Sequence, residues 1–247
     1  MANKWREIWE KRDIDEDILK SGDHKTVYMA LKVMNGFDSV KKEYGGGVGY
    51  DAFYEQYAEI KRELEFSAAG GGKKPGSIFE VGCGSGANLY LFERDGLSVG
   101  GIDYSKAGIE TAAKVLEDPR ELIYDEAVNL SPEVKYDMVL SNSVFSYFED
   151  YGYASRVLEI MYEKTNDSIG IIDIHDIGRK EAFAAYRKEA SEDYEKRYQD
   201  LPKLFYDRVF FLDFAVRHGM DIKFRQSNVK GYWNNDFVFN CFMWKRS

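Results

Sequence analysis

The spacing of apolar residues changes along this chain and separates two kinds of segment. In residues 1–66, apolar side chains recur every three or four positions, which predicts helices with faces formed by Trp5, Ile8 and Trp9 and by Phe53, Tyr54, Tyr57, Ile60 and Leu64. Further on, short apolar runs alternate with helical stretches and predict strands near 78–81, 97–102, 121–124, 136–142, 168–176, 222–227 and 236–244. Strands that alternate with helices are typical of an α/β fold.

A glycine-rich turn follows the first of these strands. Glycines at 82, 84 and 86 separate the run Ile78-Phe79-Glu80-Val81 from a helix that carries Leu89, Leu91 and Phe92. Glycine permits positive φ and the close approach of a ligand, and the free N–H groups of a helix start favour an anionic group. A nucleotide-type cofactor is therefore predicted here. The spacing of Gly82, Gly84 and Ala87 also fits the dinucleotide fingerprint, so it leaves nicotinamide and other adenosine cofactors open.

Polar residues follow the next strands at positions where a ligand of an open α/β sheet would bind. The second strand ends at Asp103, about twenty residues beyond the glycine loop, where a carboxylate for ribose hydroxyls is expected. Ser105 starts the following helix, and a capping role is expected for it. The fourth strand ends with polar residues at positions 141–143, which places them at the same edge of the sheet.

Composition narrows the class of protein further. The 247 residues suffice for one substantial domain with a cap, and 44% hydrophobic residues permit a packed core. A net charge of −9 argues against a general binder of nucleic acid or of anionic membranes. Two cysteines form neither a metal motif nor a disulfide framework. Without an apolar signal core or a run of about 20 apolar residues, the protein is expected to be soluble and cytoplasmic.

Glycine-rich stretches suggest the domain organisation. The stretch 68–76 separates a helical cap, residues 1–70, from a cofactor-binding domain, residues 71–247, and residues 44–50 form a second such loop, either a cover or a plain connector. Within the larger domain, residues 179–208 are highly charged and have helical spacing, with Tyr186, Arg187, Tyr194 and Arg197 among them. This segment is expected to form either a lid over a bound substrate or a solvated helix.

With Glu80 two places before the first glycine and a third glycine at 86, the chain resembles the class I S-adenosylmethionine-dependent methyltransferases, whose first motif is E/D-x-G-x-G-x-G. The I-D-Y-S sequence at 102–105 continues the resemblance. It implies a Rossmann-like seven-stranded sheet with helices on both faces, an antiparallel edge hairpin, and S-adenosylmethionine as cofactor with S-adenosylhomocysteine as product. The implied cofactor-binding residues are Glu80, Gly82, Cys83, Gly84, Gly86, Asn88, Asp103, Tyr104, Ser105, Glu126 (or Asp125), Ala127 and Ser141.

The same resemblance narrows the acceptor. After the fourth strand the chain reads S-N-S-V-F, which lacks the N/D-P-P-Y/F motif of many nucleic-acid methyltransferases, and residues 149–150 do not reproduce the paired glutamates of arginine-methylating enzymes. The W-x-x-I-W-x-K-R opening, the N-G-F-D sequence at 35–38 and the L-P-x-L-F-Y-D sequence at 201–207 are faintly similar to methyltransferases of bacterial capsule and surface-polysaccharide precursors. O-methylation of a small sugar or a phosphate or phosphoramidate-type precursor is the resulting hypothesis.

Among three histidines, His175 is the candidate general base because it ends the fifth predicted strand beside the expected methyl donor. Asp173 or Asp176 is expected to orient it, and a structural role for the ring is the alternative. No metal site is predicted, since these two carboxylates have no evident third ligand. A nicotinamide-dependent oxidoreductase and a non-catalytic cofactor-binding partner protein are the other functions that the sequence allows. The oligomeric state is left open.

Overall fold

The computed structural model describes residues 4–20, 22–37, 47–66, 74–190 and 201–246. Within these ranges four helices precede the first strand, and they run Lys4–Trp9 (α1), Glu16–Lys20 (α2), His24–Met34 (α3) and Tyr50–Leu64 (α4). Asp23 starts α3 by accepting a hydrogen bond from the Thr26 amide, a standard N-cap. The predicted domain boundary near residue 70 and part of the loop 44–50 lie outside the described residues.

Seven strands form one sheet in the order β3-β2-β1-β4-β5-β7-β6. Their bounds are Ser77–Val81 (β1), Ser98–Asp103 (β2), Glu121–Tyr124 (β3), Tyr136–Asn142 (β4), Thr165–His175 (β5), Met220–Gln226 (β6) and Val238–Lys245 (β7). The first five are parallel to one another, and β7 pairs antiparallel with both β5 and β6. The predicted seven-stranded sheet with an antiparallel edge hairpin is confirmed.

The remaining helices cover both faces of this sheet. They run Ala87–Arg94 (α5), Lys106–Val115 (α6), Tyr151–Lys164 (α7), Lys180–Ala190 (α8) and Arg208–Arg217 (α9). Alternate residues of each central strand point to opposite faces, so that Ile78 joins one apolar cluster and Phe79 the other. Helices on both faces bury the central strands β1 and β4 almost completely, which explains their largely apolar sequences, whereas β3 at the edge is only partly buried.

The amino-terminal helices contribute to the core of the sheet as well as to its edge. Phe53 and Leu64 of α4 share an apolar cluster with Ile78 and Leu140 of the central strands. A polar contact adds to this packing, since the buried Glu63 carboxylate accepts hydrogen bonds from Lys223 and Arg225 of β6. Helix α4 is therefore packed against the sheet, while α1 and α3 reach the edge at which the parallel strands end.

The order of the strands places a crevice at that edge. Strand β1 is flanked by β2 on one side and by β4 on the other. The connection from β1 to β2 and the connection from β4 to β5 therefore run in opposite directions along the sheet. Open α/β sheets bind ligands at this switch point, outside the carboxyl ends of the strands. None of the helices in the described ranges combines the length and the apolar character needed to cross a bilayer.

Candidate functional site

A cavity opens at the switch point, between the carboxyl ends of β1, β2 and β4 and the helices α1 and α3. Most of the predicted cofactor-binding residues line it, namely Glu80, Gly82, Gly84, Asn88, Asp103, Tyr104, Ser105, Glu126 and Ala127. Cys83, Gly86 and Ser141 do not line the cavity. All three are buried, and the Cys83 thiol lies instead against Gly101 of β2.

The glycine loop is held against β2 by its own backbone. The amides of Gly82 and Cys83 both donate to the carbonyl of Ile102, at 2.8 and 3.1 Å. Gly82 has a φ of +76°, and a Cβ placed on it would lie 2.3 Å from Cγ2 of Val144. Only glycine meets both conditions, since other residues are strained at positive φ and have no room here. The loop thus leaves its surface open to a ligand.

Asp103 connects the glycine loop to the helix that follows β2. One carboxylate oxygen accepts from the Gly84 amide at 2.8 Å, and the other accepts from the Ser105 amide at 2.7 Å. The group borders the cavity, and burial raises its pKa to about 6, while these two hydrogen bonds oppose the rise. Ser105 also caps α6 by accepting from the Gly108 amide, as expected for it.

Glu80 supplies a second carboxylate, deeper in the cavity. One of its oxygens accepts a hydrogen bond from the Asn88 amide group at 2.6 Å, and the other is buried without a partner. Burial raises the pKa of Glu80 to about 8, because a desolvated carboxylate is costly. A cationic group of a ligand would satisfy the free oxygen.

A third carboxylate, Glu126, borders the other end of the cavity. It accepts from the Tyr153 hydroxyl at 3.1 Å and pairs with Arg6 of α1 at 3.1 Å. The Arg6 guanidinium also lies over the ring of Tyr104, 5.4 Å from its centroid. Helix α1 therefore closes over the region where adenine is expected. Asp125, the alternative to Glu126, also lines the cavity and bonds to the Asn129 side chain.

Several lining residues were not predicted from the sequence. The helical segments at the amino end supply Trp9, Lys32, Asn35 and Phe37, and the stretch after β4 supplies Val144, Tyr147 and Phe148. Asn35 ends α3 and accepts a hydrogen bond from the Ser85 amide at 2.8 Å, which fixes this helix against the glycine loop. Trp9, Asn35 and Phe37 fall within the W-x-x-I-W-x-K-R and N-G-F-D sequences, but neither sequence indicates a cofactor site, because these residues reach the cavity through tertiary packing.

A buried polar group adjoins the cavity where β4 and β5 end. Ser143 lines the cavity and donates to Asp173 at 2.8 Å, and Tyr232 donates to the same carboxylate oxygen at 2.9 Å. The other oxygen of Asp173 is buried without a partner. Burial raises the pKa of Asp173, and the hydrogen bonds from Ser143 and Tyr232 oppose the rise. Both Ser143 and Asp173 have positive φ, +61° and +62°, which is unusual for residues other than glycine.

His175 ends β5 but does not line the cavity. Its ring is buried against the rings of Phe183 and Phe205, at centroid distances of 5.1 and 5.3 Å, and its Nδ1 has no hydrogen-bond partner. Burial, and secondly the charges of Lys203 and Arg187, hold the pKa of His175 well below its usual value. The ring is therefore neutral at pH 7.

Neither of the expected carboxylates orients His175, and that prediction is wrong. Asp173 bonds to Ser143 and Tyr232, while Asp176 pairs with Arg208 at 2.8 Å. Among the described residues, no group of three or more His, Cys, Asp or Glu side chains is placed to hold a metal ion.

The segment expected as a lid packs over His175. Phe183 of α8 contacts the histidine, while Tyr186 stacks on Trp233 at 5.5 Å and Arg187 lies 5.0 Å from the same ring. Tyr194 and Arg197 lie outside the described residues, so the prediction of a lid stays a prediction.

Part of the chain is similar to known methyltransferases. Residues 79–168 match the family model of a methyltransferase domain. A malonyl-[acyl-carrier protein] O-methyltransferase of Ilyobacter polytropus is 30% identical over 152 residues, which cover 59% of this chain and 55% of that protein. A second protein of that name, from Priestia megaterium, is 36% identical over 75 residues, which cover 29% of this chain and 27% of that protein. The chain thus spans about half the length of the first relative and about a quarter of the second.

Solved structures share the fold. Magnesium protoporphyrin IX methyltransferase from Synechocystis PCC 6803 with bound S-adenosylmethionine superposes with a TM-score of 0.56 at 15% identity, covering 91% of this chain and 98% of that one. The plantazolicin methyltransferase BpumL with S-adenosylhomocysteine gives a TM-score of 0.60 at 19% identity, covering 99% and 98%. At such identities the likeness concerns the fold.

Fold, site and matched region agree. Residues 79–168 match a methyltransferase domain, and the fold is that of methyltransferases solved with S-adenosylmethionine or S-adenosylhomocysteine bound. These relatives and structures give no support to the narrower resemblance to capsule-precursor enzymes, since none of their names refers to such a substrate.

Proposed function

We propose that the protein uses this domain to transfer the methyl group of S-adenosylmethionine to an oxygen atom of a small polar acceptor. The observation that carries the proposal is the set of three carboxylates, Glu80, Asp103 and Glu126, that borders one cavity around the glycine loop. The donor carries a sulfonium and an ammonium cation, and its ribose offers two hydroxyl donors. Carboxylates are suitable partners for all of these groups.

The residues of the chain contribute mainly by binding and orientation. When bound, S-adenosylmethionine supplies a methyl carbon that the sulfonium already activates for displacement. Asp103 would hold the ribose, and the glycine loop would contact the part of the donor that lies against its backbone. Trp9 and Tyr147, which also line the cavity, would exclude water from the bound donor. Holding two reactants in line lowers the barrier by several kcal/mol without covalent participation of the protein.

A hydroxyl acceptor must also lose its proton, and two groups are candidates to receive it. Asp173 lies directly behind Ser143 and keeps one oxygen without a partner. His175 is neutral and has an unpartnered Nδ1, but Phe183 and Phe205 enclose its ring. We favour Asp173, because its hydrogen bond to Ser143 connects it to the cavity wall. A positioned base contributes about 10² to 10⁴-fold to the rate.

Variants of these two residues distinguish the candidates. If Asp173 is the base, Asp173→Asn lowers turnover at least about a hundredfold, whereas His175→Ala stays near the wild-type rate. The reverse result would assign the role to His175. Its low pKa would then place the rise of the rate with pH below the usual histidine range.

The class of acceptor remains a proposal with two branches. A sugar hydroxyl or a phosphate-type oxygen is the class suggested by the sequence. The relative named malonyl-[acyl-carrier protein] O-methyltransferase favours a carboxylate acceptor instead. Lys203, whose ammonium lies 4.2 Å from the ring centroid of Tyr147 at the cavity wall, is suited to an anion of either branch. Methyl esters are hydrolysed by mild alkali, so release of labelled methanol from the product would identify the carboxylate branch.

Calorimetry with S-adenosylhomocysteine and NAD tests the donor. We expect binding of the first alone, and at least tenfold weaker binding by Asp103→Ala, because each lost hydrogen bond to a charged group contributes about 1.5 to 3 kcal/mol. Preference for NAD would instead support the oxidoreductase. Tight donor binding without methyl transfer to any acceptor from extracts would support a non-catalytic partner protein.

A further inference from the structure

One buried cation enters the cavity from the amino-terminal helices. Lys32 of α3 is 1% exposed, yet it is among the residues that line the cavity. Its ammonium lies over the rings of Phe37 and Phe53, at 3.7 and 4.5 Å from their centroids. No ion pair or hydrogen bond joins it to any residue in the described ranges. An ammonium buried in this way is costly unless a ligand supplies an anion.

A carboxyl group with one unpartnered oxygen borders the same cavity. Glu80 at the end of β1 uses one oxygen to accept from Asn88 and keeps the other buried and without a partner. Burial lowers the pKa of Lys32 to about 8, and the charges of Glu80 and Asp173 oppose this shift. An ammonium without a hydrogen-bond partner and a carboxyl group with one unpartnered oxygen thus face one space. A ligand that carries both an ammonium and a carboxylate would satisfy them together.

The position of Lys32 is fixed relative to the glycine loop. Three residues further along α3, Asn35 accepts from the amide and the hydroxyl of Ser85, both at 2.8 Å. The Ser85 hydroxyl also donates to the carbonyl of Leu31 at 3.0 Å. These bonds join the last turn of α3 to the loop that follows β1. Lys32 is therefore held at the glycine-loop end of the cavity, and not at the end bordered by Glu126.

We propose that Lys32 binds the carboxylate of the donor's aminoacyl group, while Glu80 receives its ammonium. This inference rests on the proposed use of S-adenosylmethionine. It adds a residue from outside the matched methyltransferase region to the donor site. It also gives α3 a function beyond packing. Through Lys32 the helix would bind the carboxylate of the aminoacyl group, which simple adenosine compounds lack.

Three adenosine compounds separate this role from others by calorimetry. S-adenosylmethionine carries the carboxylate, decarboxylated S-adenosylmethionine keeps the sulfonium and ammonium without it, and 5′-methylthioadenosine lacks the whole aminoacyl group. We expect the wild type to bind the first at least tenfold more tightly than the second. Lys32→Met should weaken the first at least tenfold and change the other two less than twofold. Lys25→Met, on the exposed side of the same helix, is the matched control and should change none.

Each other outcome has a definite meaning. Equal affinity of the wild type for S-adenosylmethionine and its decarboxylated form would overturn the role of Lys32, even if the Met variant does not fold. An equal loss for all three compounds in Lys32→Met would overturn it as well, by showing that the lysine only supports the fold. Lys32→Arg keeps the charge and should keep the preference. If the wild type binds neither S-adenosylmethionine nor S-adenosylhomocysteine, the proposed function fails first.

Discussion

The two halves of the site are built in different ways. The donor half, which is the half proposed to bind the donor and runs from Glu80 to Glu126, comes from consecutive strands and loops, so each of its carboxylates lies at or just after the end of its own strand. The acceptor half joins Ser143, Asp173 and Tyr232, which are far apart in the chain and meet only through hydrogen bonds. Local sequence builds the first half, whereas tertiary structure builds the second.

The halves also differ in the type of residue that has a positive φ angle. The donor loop puts its positive φ angles on glycines, where they cost little. The acceptor half puts them on Ser143 and Asp173, where each costs on the order of 1–3 kcal/mol. The hydrogen bond between these two side chains, and one from the Asp173 amide to Asn240, help to maintain that geometry. Such strain is often found where a structure must hold a reactive geometry.

The largest effect is expected when the donor loop loses its glycine. Gly82→Ala combines positive φ with a Cβ only 2.3 Å from Val144, so the loop or its neighbour must move. We expect at least a hundredfold weaker binding of S-adenosylhomocysteine by calorimetry, together with a lower midpoint in urea unfolding.

A second glycine provides the control for that change. Gly96 has a φ of +84° but open space around it, so Gly96→Ala carries the backbone cost alone, about 1 kcal/mol, with unchanged affinity. Adding Val144→Ala to the Gly82 variant should restore part of the binding. An equal loss of affinity for S-adenosylhomocysteine in Gly82→Ala and Gly96→Ala would show that contact with Val144 is unimportant.

The acceptor half is tested by a substitution that suits its backbone. Asparagine tolerates positive φ better than most residues, so Asp173→Asn should fold while removing the charge next to Ser143. Burial raises the pKa of Asp173, so its contribution to stability is complete below its unfolded value and is lost as pH rises through the folded value. We therefore expect the variant to lose less stability than the wild type between pH 4 and 8.

Donor binding and methyl transfer should respond differently to Asp173→Asn. Affinity for S-adenosylhomocysteine should stay within about threefold, while methyl transfer falls about a hundredfold. A parallel loss of donor affinity would mean that Asp173 belongs to the donor half. Urea unfolding across pH, calorimetry and a methyl-transfer assay measure the three quantities.

The same division explains what could be predicted from the sequence. The strands and the positions of Glu80 and Asp103 follow from short motifs and apolar runs, while the edge hairpin and the role of Glu126 follow from the family resemblance that these motifs carry. Lys32, Asn35 and Tyr232 reach the site through packing of distant helices and loops, and no local pattern indicates that they belong to a cofactor site. His175 shows the limit of strand-end reasoning, because its ring packs against Phe183 and Phe205 and does not line the cavity, although it ends β5.

A smaller effect is expected from the pH dependence of Asp103. Its pKa is about 6 in the free protein because of burial, and the ribose hydroxyls require the ionised form. Donor affinity should therefore rise with pH up to about 6, and fall by up to tenfold for each unit below it. The contribution of Asp103 to the stability of the free protein changes in the opposite sense, since it is complete below pH 3.8 and lost as pH rises through 6.

Asp103→Asn separates this contribution from that of Glu80. We expect the variant to bind the donor more weakly at all pH values, and its affinity should no longer change near pH 6. Calorimetry in buffers of different ionisation enthalpy should show that donor binding releases fewer protons than in the wild type. An unchanged step would assign it to another group.

The smallest effect concerns the helix that covers the donor half. Arg6 pairs with Glu126 at 3.1 Å, but both side chains are about one-third exposed, at 39% and 32%, so water screens the pair. Such pairs contribute about 0–1 kcal/mol, and the contact with the Tyr104 ring adds a similar amount. Arg6→Ala should therefore weaken binding of S-adenosylhomocysteine by about threefold to tenfold at low salt and less at high salt. Lys20→Ala, which breaks an exposed pair with Glu16, should have no effect on affinity. A loss as large as that of Gly82→Ala would mean that α1 is as much a part of the donor site as the glycine loop, and the comparison between a locally built half and an assembled half would then need to be redrawn.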